Sequence, residues 1–322
     1  LLCAARETYT FGNMLLNRRG FLWAGAWASL AAARSLAATL QQVRLSVTTD
    51  EIDEDVATAA QFLRGFGLGW AEVRSVWGHY NTDQPLEKIR EVRAILDSNQ
   101  VRTSVVDTAF FRGPLPPETP SGQAALDKEW RLLDDAIERA RVLGTDCLRT
   151  FAFSRSEGQP PDSATLDRIY ARIYELLREA ARRARAHNMR LAVENLEGSY
   201  VATGAEAGRM LKNVREEALG LTWDPNNAAG EGEHAYPDGY SQLDPARVFN
   251  VHLRDFRHTS AGKLEWCAVG DGEFDNLGQI RALVKSGYKG RFNLETHYRH
   301  PDGKAAATRT SLAALLKIVE RV

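Results

Sequence analysis

The chain has 322 residues, 44% of them hydrophobic and 26% charged, an ordinary globular balance with ample length for a large core. Its 41 basic and 42 acidic residues give a formal net charge of -1, which lacks the basic footprint of a nucleic-acid binder. Three cysteines, Cys3, Cys147 and Cys267, are too few for a disulfide framework and show no CxxC spacing, so lone buried thiols are expected rather than a zinc–cysteine cluster.

The first 37 residues read as an address rather than as part of the fold. Residues 1–13 precede Met14 and look like upstream translation. Asn17-Arg18-Arg19-Gly20-Phe21-Leu22 then leads into a short, mildly apolar run from Trp23 to Ala33, followed by Arg34. This pattern resembles a bacterial twin-arginine export signal. Ser35-Leu36-Ala37 supplies small residues for cleavage, so a mature, periplasmic chain is expected to begin near Ala38. The apolar run is too short to span about 30 Å of hydrocarbon, and no stable membrane anchor is expected.

From residue 38 to residue 322 short β-rich runs alternate with longer helical ones. Val43–Val47 reads as a first strand with a helix near 52–65, and Trp70–Val76 as a second with a helix over 85–99. Val101–Val106 is a third, followed by a Pro-rich loop and a helix over 122–143. Cys147–Phe151 is a fourth, and its helix over 163–187 repeats apolar residues at Leu166, Ile169, Ile173, Leu176 and Leu177. Arg190–Glu194 and Leu219–Trp223 are the fifth and sixth, separated by a helix over 203–213. A Gly- and Pro-rich loop then reaches Gly239, with only a turn at Asp244-Pro245-Ala246-Arg247 before a seventh strand, Val248–Leu253. A helix over 275–286, an eighth strand at Arg291–Glu295 and a helix over 304–320 complete the pattern. Strict alternation means parallel strands joined by crossovers, and the length suits a single α/β domain, a (β/α)8 barrel.

Four of these strands end on a metal-capable side chain: Glu194, Asp224, His252 and Glu295. They lie roughly 30, 30 and 40 residues apart, near the length of one strand-plus-helix unit, and in a barrel such strand ends converge on one mouth. Three carboxylates and one imidazole suit a single divalent ion: manganese foremost, with magnesium, cobalt or zinc as alternatives. Such an ion would polarise a carbonyl and stabilise an enediolate as charge develops, while Glu194 and Glu295, on different strands, remove a proton and return it. Arg254, His297 and His79 are the candidates for holding substrate, with Trp77 and Asp107 at the ends of neighbouring strands. Trp223 reads as barrel packing, and Gly270-Asp271-Gly272 lacks the strand–turn–helix context that a phosphate cradle needs.

Together, Val193-Glu194-Asn195, Trp223-Asp224-Pro225-Asn226-Asn227, Val251-His252-Leu253-Arg254-Asp255, Gly270-Asp271-Gly272-Glu273-Phe274-Asp275 and Leu294-Glu295-Thr296-His297 resemble the xylose-isomerase-like TIM-barrel superfamily. The resemblance spans about residues 43–320 and points to the sugar phosphate isomerase/epimerase branch, similar to ketose 3-epimerases, hydroxypyruvate isomerases and inosose dehydratases. It implies that Glu194, Asp224, His252 and Glu295 bind the metal, with both glutamates moving protons. One departure stands out: ketose epimerases carry a histidine that helps hold substrate three residues beyond the aspartate, where this chain has Asn227, and an amide can hydrogen-bond a substrate hydroxyl but cannot act as an acid or base near neutral pH. The expected activity is therefore a metal-dependent sugar isomerase or epimerase, with a lyase acting on a keto-sugar, inosose or 3-keto-glycoside as the alternative. Apurinic-site endonucleases share the barrel, but their histidine-rich sites match neither the 7 histidines here nor the charge balance. A small carbohydrate is the expected partner, no nucleic acid is, and a homo-oligomer is compatible with the sequence.

Overall fold

The computed structural model describes residues 43–156 and 161–322, so the expected export signal lies outside the described residues. Eight parallel strands close into a barrel, each hydrogen-bonded to its neighbours in sequence and the first to the last. The strands are Leu45–Thr48, Trp70–Val73, Arg102–Asp107, Cys147–Thr150, Arg190–Glu194, Leu219–Trp223, Val248–Leu253 and Arg291–Leu294. They are buried along nearly their whole length, because parallel strands are covered by side chains inside the barrel and by helices outside. The ring closes where Leu45, Ser46 and Val47 pair with Phe292, Asn293 and Leu294.

Helices alternate with the strands at Val56–Gly65, Leu86–Ser98, Pro120–Leu143, Ser163–Ala186, Gly204–Asn213, Asn276–Lys285 and Lys304–Val319. Local chemistry starts several of them. Asp55, Thr119, Asp162 and Asp275 each accept a backbone N–H two or three residues into their helix, and Thr203 with Glu206 forms a reciprocal capping box. Between strands six and seven the expected gap in helical signal is real. A two-turn helix, Pro225–Gly230, is followed only by short irregular turns ending at Pro245–Arg247.

The second strand is shorter than its sequence suggests. It stops at Val73, and Ser75–Val76 folds back on His79–Tyr80 as a small antiparallel hairpin. The bend is held by the Asn81 amide, which donates to the carbonyls of Val73, Arg74 and Asp107, and by Asp50, which accepts from the Ser75 N–H at 3.2 Å. A second hairpin, Asp255–His258 with Leu264–Cys267, follows the seventh strand, in a stretch to which the sequence pattern assigned no element. Cys147 and Cys267 are both free and buried. Trp223 packs the core as expected, fully buried, with its indole N–H donating to Gln279 at 3.0 Å. Among the described residues no helix is long and apolar enough to cross a membrane.

Candidate metal centre

Parallel registration brings the strand ends to one level. Glu194 pairs with Thr222, and His252 with Asn293, so Asp224 and Glu295, each one residue beyond its strand, emerge beside them. One ligand atom from each of Glu194, Asp224, His252 and Glu295 lies within 4.8 Å of all the others, and all four residues are buried. The fold thus brings these four side chains together as a group able to hold a metal ion.

Asp224 shows how local structure aims a ligand. Its Oδ1 caps the helix at Pro225, accepting from the N–H groups of Asn226 and Asn227 at 2.8 and 3.1 Å, which leaves Oδ2 for the site. Asn195 clamps the same backbone from the neighbouring strand. Its Oδ1 accepts the Asp224 N–H and its amide donates to the Asp224 carbonyl, both at 2.8 Å.

His252 is held from behind. Its Nε2 lies 2.8 Å from Glu72 Oε1, and Asn250 donates to the other oxygen of Glu72 at 2.9 Å; all three are fully buried. Assigning the ring proton to Nε2 turns the Nδ1 lone pair inward. There it faces Glu295 Oε2 at 3.1 Å, Glu194 Oε1 at 3.4 Å and Asp224 Oδ2 at 3.9 Å, without an aligned hydrogen-bond partner. With that tautomer, the nitrogen and the three carboxylates form a cluster able to hold a cation. The donor set fits a divalent ion, and the Glu72 contact is the customary orienting bond on a ligating histidine.

Each ligand carboxylate also meets an arginine. Arg149 bonds Glu194 at 2.9 Å, Arg254 bonds Asp224 at 2.6 Å, and Arg74 bonds Glu295 while holding Asp50 and Glu51 at 2.8 and 2.7 Å. Burial pushes the Glu194 carboxyl up, yet in the metal-free protein Arg149 and a protonated His252, itself raised against burial by the surrounding carboxylates, pull it down to about 2. Burial is likewise outweighed at Glu295, held well below the usual range by His297, His252 and Arg74. Asp224 behaves differently: burial raises it despite Arg254. Asp107, fully buried with Arg149 and Glu72 near it, is raised well above the ordinary value by that burial.

The predicted substrate residues divide. Asn227 is in the site with its amide committed: it donates to Asn195 O at 2.9 Å and Glu194 Oε1 at 3.3 Å, and accepts from Arg254 at 2.7 Å. Arg254 serves Asp224 and Asn227, not its chain neighbour Asp255, whose carboxylate instead accepts the N–H groups of Phe256, Gly270 and Phe274. His297 stands at the rim, about a third exposed, with Nε2 3.4 Å from both Glu51 and Glu295. His79 is not brought to the site; it is exposed on the small hairpin, and its neighbour Tyr80 lines the cavity instead. Trp77 does not line the cavity either, and its indole N–H donates to Asp55 at 3.4 Å.

Three functional positions escaped the sequence reading: Glu72, Arg74 and Arg149. Their signal was the one used for the ligands, a charged residue in or closing an apolar strand, as in Trp-Ala-Glu-Val and Cys-Leu-Arg-Thr. Glu51, Glu295 and His297 form a second acidic group, but Arg74 already bonds both carboxylates. Above the four ligands lies a cavity of about 250 Å³, walled by Arg74, Arg112, Arg149, Arg254, Phe151 and His297 and floored by Glu194 and Glu295.

This barrel with its polar centre belongs to the xylose isomerase-like TIM barrel family, whose model matches residues 60–318. The chain is 31% identical over 157 residues to the 3-dehydroshikimate dehydratase of Pseudomonas aeruginosa, a stretch covering 45% of this chain and 24% of that protein. It therefore spans about a quarter of that relative's length. Among solved structures, the IOLI protein with a bound zinc atom superposes with a TM-score of 0.69 at 15% identity, over 86% of this chain and 98% of that one. The 3-keto-D-glucoside 4-epimerase YcjR from E. coli superposes at 0.63 with 16% identity, over 85% and 99% of the two chains. At such identities the likeness is one of fold.

Proposed function

We propose that this chain is a divalent-metal-dependent enzyme that removes a proton beside the carbonyl of a sugar, working as an isomerase or epimerase. The observation that carries the reading is the unpaired Nδ1 of His252 among three carboxylates, two of which, Glu194 and Glu295, line an open cavity. Glu194, Asp224, His252 and Glu295 would hold the ion, with manganese the first choice and magnesium, cobalt or zinc the others. A bound ion supplies Lewis acidity toward the substrate's carbonyl and neighbouring hydroxyl.

The chain's own residues do the proton chemistry. Glu194 and Glu295 are both held ionised, so either can accept a proton from the carbon beside the carbonyl. Return of that proton to the same or the neighbouring carbon completes epimerisation or isomerisation. Arg74, Arg149 and Arg254 line the space where negative charge develops on the substrate oxygens.

Elimination is the second reading, and two observations favour it. The Asn227 amide is committed to neighbouring groups and cannot act as an acid or base at neutral pH, and a curated relative is a dehydratase. On this route the same glutamate takes the proton, the β C–O bond breaks, and the leaving oxygen is protonated, with the His297 imidazole within reach of the cavity. An export signal at residues 17–37 would place the reaction in the periplasm, where neutral sugars and glycosides are the available substrates. Unchanged periplasmic delivery after Arg18→Lys and Arg19→Lys would refute that part.

The test is incubation of the metal-loaded enzyme with free ketoses and 3-keto-glucosides in D₂O, followed by mass spectrometry. Deuterium in a product of otherwise unchanged composition is the expected result; loss of water or release of an alcohol assigns the lyase reaction. Glu194→Gln and Glu295→Gln should each slow turnover about 10²–10⁴-fold. Full activity in both would remove the reading.

A further inference from the structure

We propose that the barrel mouth carries a second sugar-binding subsite beside the metal cavity, so that the substrate is a two-ring glycoside rather than a single sugar. This rests on the reading of the metal cavity as the place where a sugar carbonyl is handled. A second cavity of about 580 Å³ opens along the hairpin that follows the seventh strand, and His297 lines both cavities. Trp266 forms part of its wall, half-buried, with its ring centre 6.3 Å from that of His297. The Arg254 guanidinium lies 4.3 Å from the Trp266 ring centre while bonding Asp224. One arginine thus joins the floor of the first cavity to the aromatic wall of the second.

Size and chemistry point to the occupant. At about 250 Å³ the metal cavity falls below the ~300 Å³ at which ligand pockets usually begin, which suits one small ring. The second cavity adds more than that again. Its wall sets one indole among hydrogen-bonding groups: Lys263, Asp271, Arg299 and the Arg257–Glu265 ion pair at 3.1 Å. A sugar ring has an apolar C–H face and a hydroxyl edge, and matches both kinds of surface. An aryl or alkyl group would desolvate those charges without replacing their hydrogen bonds.

The platform is built rather than incidental. Trp266 lies opposite Phe256 in the hairpin register, and Asp255 pairs with Cys267 at its base. The Asp255 carboxylate ties the base down through the N–H groups of Phe256, Gly270 and Phe274 at 3.0, 2.9 and 3.1 Å. Gly272 is needed there, because a Cβ would stand 2.1 Å from Asp255 Oδ1. The aromatic wall is therefore preorganised, which lowers the entropy cost of binding a second ring.

The test is calorimetric titration of the metal-loaded full chain with methyl glucoside and with cellobiose, in wild type, Trp266→Ala and Trp266→Phe. Cellobiose should bind at least tenfold more tightly than methyl glucoside in wild type. Trp266→Ala should bring the ratio of the two affinities toward one, and Trp266→Phe should restore part of it by keeping a ring. Equal wild-type affinities, or a cellobiose advantage that survives Trp266→Ala, would overturn the subsite. Deuterium exchange into a free ketose, followed in parallel, separates the two claims. Exchange without a cellobiose advantage removes the subsite alone, and a Trp266-dependent advantage without exchange removes the proton chemistry and leaves the subsite standing.

Discussion

Glu72 offers the sharpest test of how the centre is assembled, because it touches no substrate space and orients His252 from behind. Glu72→Ala removes the acceptor 2.8 Å from His252 Nε2 and the acceptor 2.9 Å from the Asn250 amide, both in a fully buried setting. Two donors are left without partners, at about 1–3 kcal/mol each. The ring is then free to rotate and the Nε2 tautomer is no longer selected. Loss of such an orienting bond usually weakens metal binding about 10–100-fold, or about 1.4–2.8 kcal/mol. Zinc affinity measured by competition with a chromophoric chelator, with near-ultraviolet circular dichroism as the control for folding, should fall within that range. A folded variant that binds zinc within about twofold of wild type would refute the assignment of Nδ1 as the metal-facing nitrogen.

Two further predictions concern the frame. In the metal-free protein Glu194 is held at about 2, below its ordinary 4.5, mainly by Arg149 acting against burial. Its contribution to stability is therefore complete above about pH 4.5 and is lost as pH falls toward 2. Arg149→Gln removes that contribution, so acid unfolding followed by circular dichroism should move to higher pH; an unmoved acid limb would count against the pairing. Asn195→Ala unpairs the N–H and carbonyl of Asp224 and the carbonyl of Ala202, and should cost about 2 kcal/mol or more in urea unfolding. A loss below about 0.5 kcal/mol would show that Asp224 is positioned without the clamp.

Much of the barrel was legible in the sequence because its rules are local. The alternation of β-branched runs with helices of period 3.6 is written into each segment, and the fifth, sixth and seventh strands end where the sequence placed them. The four-residue cluster was legible for the same reason, as charges closing apolar strands of a ring whose ends converge. The second strand was overrun because Arg74-Ser75-Val76 has strand-like composition, while the bend there depends on the Asn81 bond to the Asp107 carbonyl and the Ser75 bond to Asp50, contacts that only the fold brings together.

Local pattern by itself determined eight strands, their order, and which four side chains reach one level, because register in a closed parallel barrel follows from strand length and connection. Tertiary structure alone decided that Glu72 stands behind His252, 180 positions away; that Arg254 turns to Asp224 rather than to Asp255; and that His79 faces solvent. Those choices depend on which buried charge finds which partner across the barrel, and a buried charge is stabilised by whatever opposite charge the fold brings within a few ångströms, however far apart the two lie in the chain.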